Sequence, residues 1–194
     1  INTTHWLQHS HPNQLAGWIT EFVYHIEGGE ATAALKRARF SDDRREFSGK
    51  LVVVTGAGSG IGRETALAFA IEGAEVICAD INEQAAQETV AMLPQDMAHA
   101  MAIDVSSQRA METFARQVQK QFGVPDVVVN NAGIVDPIGA IATSDPDEWA
   151  QNISVNLVGV YNGTRAVLPH FLKQSSGVII NISSGAAHGP VDGW

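Results

Sequence analysis

The chain has 194 residues, enough for one domain with a substantial core, and only 17% are charged while 45% are hydrophobic. That balance excludes a disordered chain and favours a sheet buried on both faces. The formal net charge is −9, and it is uneven: residues 1–46 carry five Lys/Arg against six Asp/Glu, the remainder seven against fifteen. An acidic main body disfavours nucleic acid, which rewards clustered Lys and Arg.

No apolar run approaches the ~20 residues of a membrane span. The single cysteine, Cys78, excludes an internal disulfide and a Cys-rich metal site, and in a strand it reads as a small core residue. A cytoplasmic setting is the expectation, with no metal.

In chain order, the first stretch is Thr4-His5-Trp6-Leu7-Gln8-His9-Ser10-His11-Pro12. It leads into an apolar stripe of Leu15, Trp18, Ile19, Phe22 and Val23, which predicts a helix from Asn13. This resembles the C-terminal end of α/β-hydrolases of the epoxide hydrolase type, where a His-Trp is followed by a Pro seven positions after the His. The family's acidic residue near Ser10 is absent. The resemblance implies that His5 is the base of a triad whose other members lie upstream. The alternatives are solvent-facing histidines in a disordered end, or a metal site at His5, His9 and His11, which has no carboxylate or Cys nearby. Residues 1–23 are thus expected to be a hydrolase remnant and short helical extension. Residues 24–47, with Glu27-Gly28-Gly29-Glu30 and the charged Phe40–Phe47, are expected to be a linker.

From residue 48 the texture changes. Apolar runs recur at Leu51–Val54, Glu75–Ala79, Ala98–Ile103, Asp126–Val129 and Gly177–Ile182, with starts 24, 23, 28 and 51 residues apart. Helical patterns lie between them. One carries Ala110, Met111, Phe114, Ala115, Val118 and Phe122 on one face and stops at Gly123. Another opens at Asp145-Pro146-Asp147-Glu148, a cap with proline at the first helical position and a reciprocal Glu, and runs to about 172. Alternating strands and helices predict an α/β fold: a Rossmann-type, doubly wound parallel sheet over 48–194.

Each run ends in small or polar residues: Thr55-Gly56, Asp80, Asp104, Asn130-Asn131 and Ser183-Ser184. In a doubly wound sheet ligands bind beyond the carboxyl ends of the strands, so five runs deliver polar groups to one edge. The first turn, Thr55-Gly56-Ala57-Gly58-Ser59-Gly60-Ile61-Gly62, follows a strand and opens a helix, which suits a pyrophosphate held by backbone N–H groups. Asp80 lies 18 residues past Gly62, where an acid accepts from ribose hydroxyls and repels a 2′-phosphate. Neither Ile81, Asn82 nor Ser59 brings a positive charge, so NAD is the expected cofactor rather than NADP. The competing reading makes Asp80 a helix N-cap.

These residues resemble the short-chain dehydrogenase/reductase family. The glycine motif is similar to Thr55–Gly62, and the adenine-side Asp-Val to Asp104-Val105. The Asn-Asn-Ala-Gly is similar to Asn130-Asn131-Ala132-Gly133. The tetrad Asn resembles Asn156 in Ser154–Gly159, and the catalytic strand resembles Val178–Ser184. The resemblance covers about 47–194 and implies roles. Gly56, Ser59, Gly60, Ile61 and Gly62 would hold the pyrophosphate, and Asp80 the ribose. Asp104 and Val105 would flank the adenine; Asn131, Ala132 and Gly133 would line the nicotinamide ribose side. Asn130 would tie neighbouring strands. Ser184, three after Asn181, would hydrogen-bond the reacting oxygen of an alcohol or carbonyl substrate. Asn156 would anchor a water in a proton relay, or simply bond a neighbouring carbonyl. His188 sits in the substrate-side loop.

The departure is the proton-transfer pair. Family spacing puts the Tyr 13 positions after Ser184, three beyond Trp194, with a Lys four later. Tyr24 and Tyr161 have no Lys four residues on. The expectation is a truncated dehydrogenase, incomplete on its C-terminal side, weak in hydride transfer and poorly stable alone, with the run at 177–182 left as a sheet edge. Three functions follow: an NAD-dependent oxidoreductase, a nucleotide-binding module without turnover, or a part of a bifunctional hydrolase–dehydrogenase. Residues 145–172 resemble the family's subunit-pairing helices. Trp149, Val158, Tyr161 and Leu168 are candidates for a homo-oligomer face, with intramolecular core the equal reading.

Overall fold

The computed structural model describes residues 45–94 and 97–189. The expected N-terminal helix, His5, Tyr24 and nearly all of the linker lie outside the described residues.

Five strands form one parallel sheet: β1 (Leu51–Thr55), β2 (Glu75–Asp80), β3 (Ala98–Ala102), β4 (Val127–Asn130) and β5 (Val178–Asn181). The order is β3-β2-β1-β4-β5. The chain therefore builds outward from β1 through β2 to β3, then crosses to β4 and β5. The switch point lies between β1 and β4, where ligands bind in such sheets. Among the described residues β5 lies at one edge of the sheet.

The strands form because their residues satisfy both faces at once. In β1, Leu51 and Val53 belong to one apolar cluster and Val52 and Val54 to the other. Ile77 and Ala79 against Val76 and Cys78 in β2 divide the same way. Branched side chains suit this pleated, doubly covered setting. Helices cover both faces. On one face the helices α1 (Gly60–Ile71) and α2 (Glu83–Ala91) supply Ala66, Ala70 and Ala86. On the other, α3 (Gln108–Gln121) and α5 (Gly159–Gln174) supply Met111, Phe114, Val118, Val167 and Phe171.

Helix starts follow local capping chemistry. Asn82 accepts from Ala85 N at 3.2 Å ahead of α2, and Ser107 from Ala110 N at 3.3 Å ahead of α3. Asp145 caps α4 (Pro146–Ile153), accepting from Asp147 N at 2.8 Å and Glu148 N at 3.4 Å, with Pro146 at its first turn. The reciprocal bond expected of Glu148 is absent among the described residues. The single helix expected to about 172 is instead α4, a π-helical turn over Ser154–Val158, and α5. The inserted turn shifts the phase of the helix beside the strand ends, a departure frequent at functional sites.

No helix among the described residues is long and apolar enough to cross a membrane, and none of their side chains group as a metal site. Trp149, Val158, Tyr161 and Leu168 are all exposed, so the intramolecular-core reading of these four is corrected.

Cys78 is fully buried in β2, and burial pushes its thiol up to about 12. A neutral, covered thiol is a poor nucleophile. In the folded protein Cys78 should react with a thiol reagent at least ~10²-fold more slowly than a free thiol at pH 8, and at the free rate in denaturant; the release of a chromogenic disulfide reagent measures both.

Candidate dinucleotide site at the carboxyl edge of the sheet

All strands run the same way, so their carboxyl ends share one edge. The crossing of β1 and β4 organises it. Thr55, 2% exposed, donates its hydroxyl to Val129 O at 3.2 Å. The same oxygen accepts from Asn131 N at 3.0 Å and Ala132 N at 3.1 Å. One donor and two acceptor positions are thus all used. The Asn131 amide returns across the gap, donating to Thr55 O at 2.9 Å and Gly56 O at 3.4 Å.

The glycine loop is threaded through this junction. Gly56 has φ +66°, and a Cβ there would lie 2.8 Å from Ala132 Cα. A Cβ on Gly62 would collide with Gly56 O and Asn131 Nδ2. Gly60 (φ +52°) meets no neighbour but needs the left-handed backbone. Beyond the junction, Ala57 N donates to Ala79 O at 3.1 Å and Gly58 N to Asp80 Oδ2 at 2.8 Å. Asp80 also accepts from Asn82 N at 2.9 Å. Asn82, not Asp80, caps α2, so the N-cap reading of Asp80 is corrected.

The N–H groups of Ser59, Gly60, Ile61 and Gly62 have no partner among the described residues. They belong to the N-cap and the first three residues of α1, whose dipole adds partial positive charge there. Ser59 is extended, and its hydroxyl makes no capping bond. A loop with no room for a Cβ at Gly56, Gly58 and Gly62, four donors without a partner among the described residues and a held carboxylate fit the diphosphate and ribose of a dinucleotide.

The remaining expected residues are placed unevenly. Asp104 closes on its own turn, accepting from Ser106 N at 2.9 Å and Ser106 Oγ at 2.6 Å. The Val105 side chain is core rather than pocket wall, packed where a Cβ on Gly159 would come within 2.8 Å. Asn130 is 4% exposed and ties β4 to β5 through Asn181 Oδ1 at 2.8 Å. Asn156 lies in the π-helical turn. Its amide donates to Ile134 O at 2.6 Å and Asn152 Oδ1 at 2.9 Å, and its oxygen accepts from Ile134 N at 2.9 Å. One Oδ1 lone pair is left for a water or ligand. A Cβ on Gly133 would lie 3.1 Å from that oxygen, so Asn156 and the Asn131–Gly133 turn are brought together.

Ser184 follows β5 and accepts from Ala186 N at 3.2 Å, leaving its hydroxyl proton free. It is exposed, as is His188. Tyr161 is exposed on α5, and its hydroxyl accepts from Arg165 Nη1 at 3.3 Å.

Several structural supports of the site escape sequence reasoning. Asn162, 3% exposed, donates to Val105 O at 2.9 Å and Ser106 O at 3.2 Å, fixing the turn after β3. Asn152 donates to Ile134 O at 3.1 Å and Asp136 O at 2.8 Å. Arg63 and Thr89 reach the glycine loop from α1 and α2. The available signal is a polar residue inside an otherwise apolar helical face, which Thr89 and Asn162 both satisfy.

Comparison with known proteins agrees with this geometry. The family model described as short chain dehydrogenase matches residues 50–194. Probable oxidoreductase EphD of Mycobacterium tuberculosis is 41% identical over 194 residues, 98% of this chain and 33% of its own length. The 3-oxoacyl-[acyl-carrier-protein] reductase FabG of Thermotoga maritima is 38% identical over 141 residues, 71% of this chain and 56% of its own. The crystal structure of 3-ketoacyl-(acyl-carrier-protein) reductase from Brucella melitensis complexed with NADH superposes with a TM-score of 0.71 at 34% identity, covering 75% of this chain and 62% of that one. The chain spans about a third of the length of EphD and little more than half of FabG.

Gly62→Ala should destabilise the fold by about 1–3 kcal/mol, because the new methyl overlaps backbone and amide atoms that are themselves bonded. Gly60→Ala meets only the left-handed backbone penalty of about 1–2 kcal/mol. Urea unfolding of the two variants measures the difference.

Proposed function

This chain belongs to the short-chain dehydrogenase family, and on that premise we propose that it serves an oxidoreductase that moves hydride between NAD(H) and an alcohol or carbonyl substrate. The observation that carries this reading is the first turn of α1: four unpartnered N–H groups beside the clamped Asp80 carboxylate. When bound, a nicotinamide cofactor supplies the hydride donor or acceptor. The NADH complex of the Brucella relative supports the cofactor class.

Gly56, Ser59, Gly60, Ile61 and Gly62 hold the pyrophosphate. Asp80 keeps lone pairs beyond its two backbone partners and accepts from the adenosine ribose hydroxyls; its charge opposes a 2′-phosphate, and neither Ile81 nor Asn82 offers a cation. That favours NAD over NADP. Asp104 and Val105 meet the adenine through their backbone, and Asn131, Ala132 and Gly133 line the nicotinamide ribose side. Ser184 donates its free hydroxyl proton to the reacting oxygen and stabilises charge there. Asn156 holds a water on its remaining lone pair. The exposed Trp149, Val158, Tyr161 and Leu168 would supply apolar surface on which subunits pair. The second reading, a nucleotide-binding module without turnover, draws on the sequence: neither Tyr24 nor Tyr161 has a Lys four residues on.

In the full-length protein, NADH should bind more tightly than NADPH, and Asp80→Ser should narrow that ratio while weakening NADH. Nucleotide fluorescence titration reads both constants; tighter NADPH binding by the wild type would overturn the NAD assignment. Ser184→Ala should lower kcat on an alcohol and ketone panel by roughly 10²-fold with the NADH constant unchanged. Tight NADH binding with no turnover anywhere on the panel would favour the second reading.

A further inference from the structure

We infer that Arg63 and Thr89 form a positioning clamp, which locks the Ala57–Gly58 backbone so that the next four N–H groups are presented to the cofactor before it arrives. The consequence for binding rests on the nicotinamide reading above; the clamp itself does not.

The geometry assigns a partner to every backbone polar group of these two residues. Ala57 N donates to Ala79 O at 3.1 Å, and Gly58 N to Asp80 Oδ2 at 2.8 Å. Ala57 O accepts from the Thr89 hydroxyl at 2.8 Å. Gly58 O accepts from Arg63 Nη2. Arg63 Nε in turn donates to Thr89 Oγ1 at 3.0 Å, so the two side chains act as one unit. Thr89 is wholly buried, and Glu88 Oε2 lies 3.7 Å from the guanidinium on its outer side.

The arrangement has a specific effect. Gly58 lies ahead of the Ser59 N-cap, so its carbonyl is outside the helical bonding of α1, and Arg63 takes it. A planar guanidinium does this while also reaching Thr89; an ammonium cannot satisfy both acceptors from one position. The clamp grips the loop from α1 and α2, whereas Asp80 grips it from β2. Arg63 therefore acts on the diphosphate end of the site, which NADH and NADPH share, and Asp80 on the ribose end, which they do not.

The test uses the full-length protein with Arg63→Ala, Arg63→Lys, Thr89→Val and Thr89→Ser. Thr89→Val keeps the shape and loses the hydroxyl; Thr89→Ser keeps the hydroxyl. Nucleotide fluorescence titration should show Arg63→Ala and Thr89→Val raising the dissociation constants of NADH and NADPH together by about tenfold, with their ratio kept. Arg63→Lys should fall between, and Thr89→Ser should bind like the wild type. The double variant Arg63→Ala/Thr89→Val should be no worse than the poorer single one, since the pair is coupled. Amide hydrogen exchange without nucleotide should speed up at Ala57 and Gly58 in Arg63→Ala and Thr89→Val, with the rest of α1 and α2 unchanged. Wild-type affinity and unchanged exchange in both variants would overturn the inference. So would Thr89→Ser losing as much as Thr89→Val, and this pair decides the matter if Arg63→Ala does not fold. A wild type that binds neither nucleotide would remove the nicotinamide reading and the binding consequence, while the exchange rates still judge the clamp.

Discussion

The hydroxyl of Thr55 is the constraint on which the edge of this sheet depends. It sits where β1 ends, and it bonds Val129 O, Asn131 N and Ala132 N on the strand across the switch point. Two chain segments leave the sheet there, one into the glycine loop and one into the Asn131–Gly133 turn. A threonine fixes their separation because a buried hydroxyl with three partners tolerates no drift: each lost bond would strand a buried polar group at a cost of about 1–3 kcal/mol. Valine would fill the same space and leave two N–H groups without a partner. The loop geometry, the close approach of Gly56 to Ala132 and the return bonds from the Asn131 amide all follow from that crossing.

The coverage of the two faces serves the same end. Alanines in α1 and α2 let those helices sit close against β1 and β2, which brings Thr89 within reach of the Ala57 carbonyl. The opposite face is filled by Met111, Phe114 and Phe171. It is rigid where α5 must fix the turn after β3 through Asn162.

The strands were legible because both faces are buried: Leu51–Thr55 and Val127–Asn130 have no polar face to blur the pattern. The glycine loop was legible because its residues answer to backbone sterics that only glycine meets. The π-helical turn at Ser154–Val158 was not, since one extra residue per turn barely disturbs an apolar period read by eye. Partners were legible least of all. A motif shows that Asn131, Asp80 and Asn156 are polar residues at strand and helix ends; it does not show that Asn131 spends its amide on β1, that Asp80 holds Gly58, or that Asn156 staples Ile134. Thr89 shows as a polar residue on an apolar helical face, but its bond to Arg63 does not, because it joins two helices separated by a strand.

Charge explains why so much polar chemistry is spent on the protein itself. The charge of −9 on this chain would repel a dinucleotide at long range, and nothing in the Thr55–Gly62 loop is basic. At physiological salt such fields fade over about 8 Å in any case. For the proposed cofactor, attraction would fall to the short-range dipoles of Ser59–Gly62, which act only when aimed correctly. A lysine in the loop would attract phosphate from many positions; an N–H group does so from few. Binding by dipoles thus demands a backbone already fixed, and each carbonyl and amide of Ala57 and Gly58 is fixed. The side chains that read as ligand contacts from sequence are, in part, the means by which the backbone becomes one.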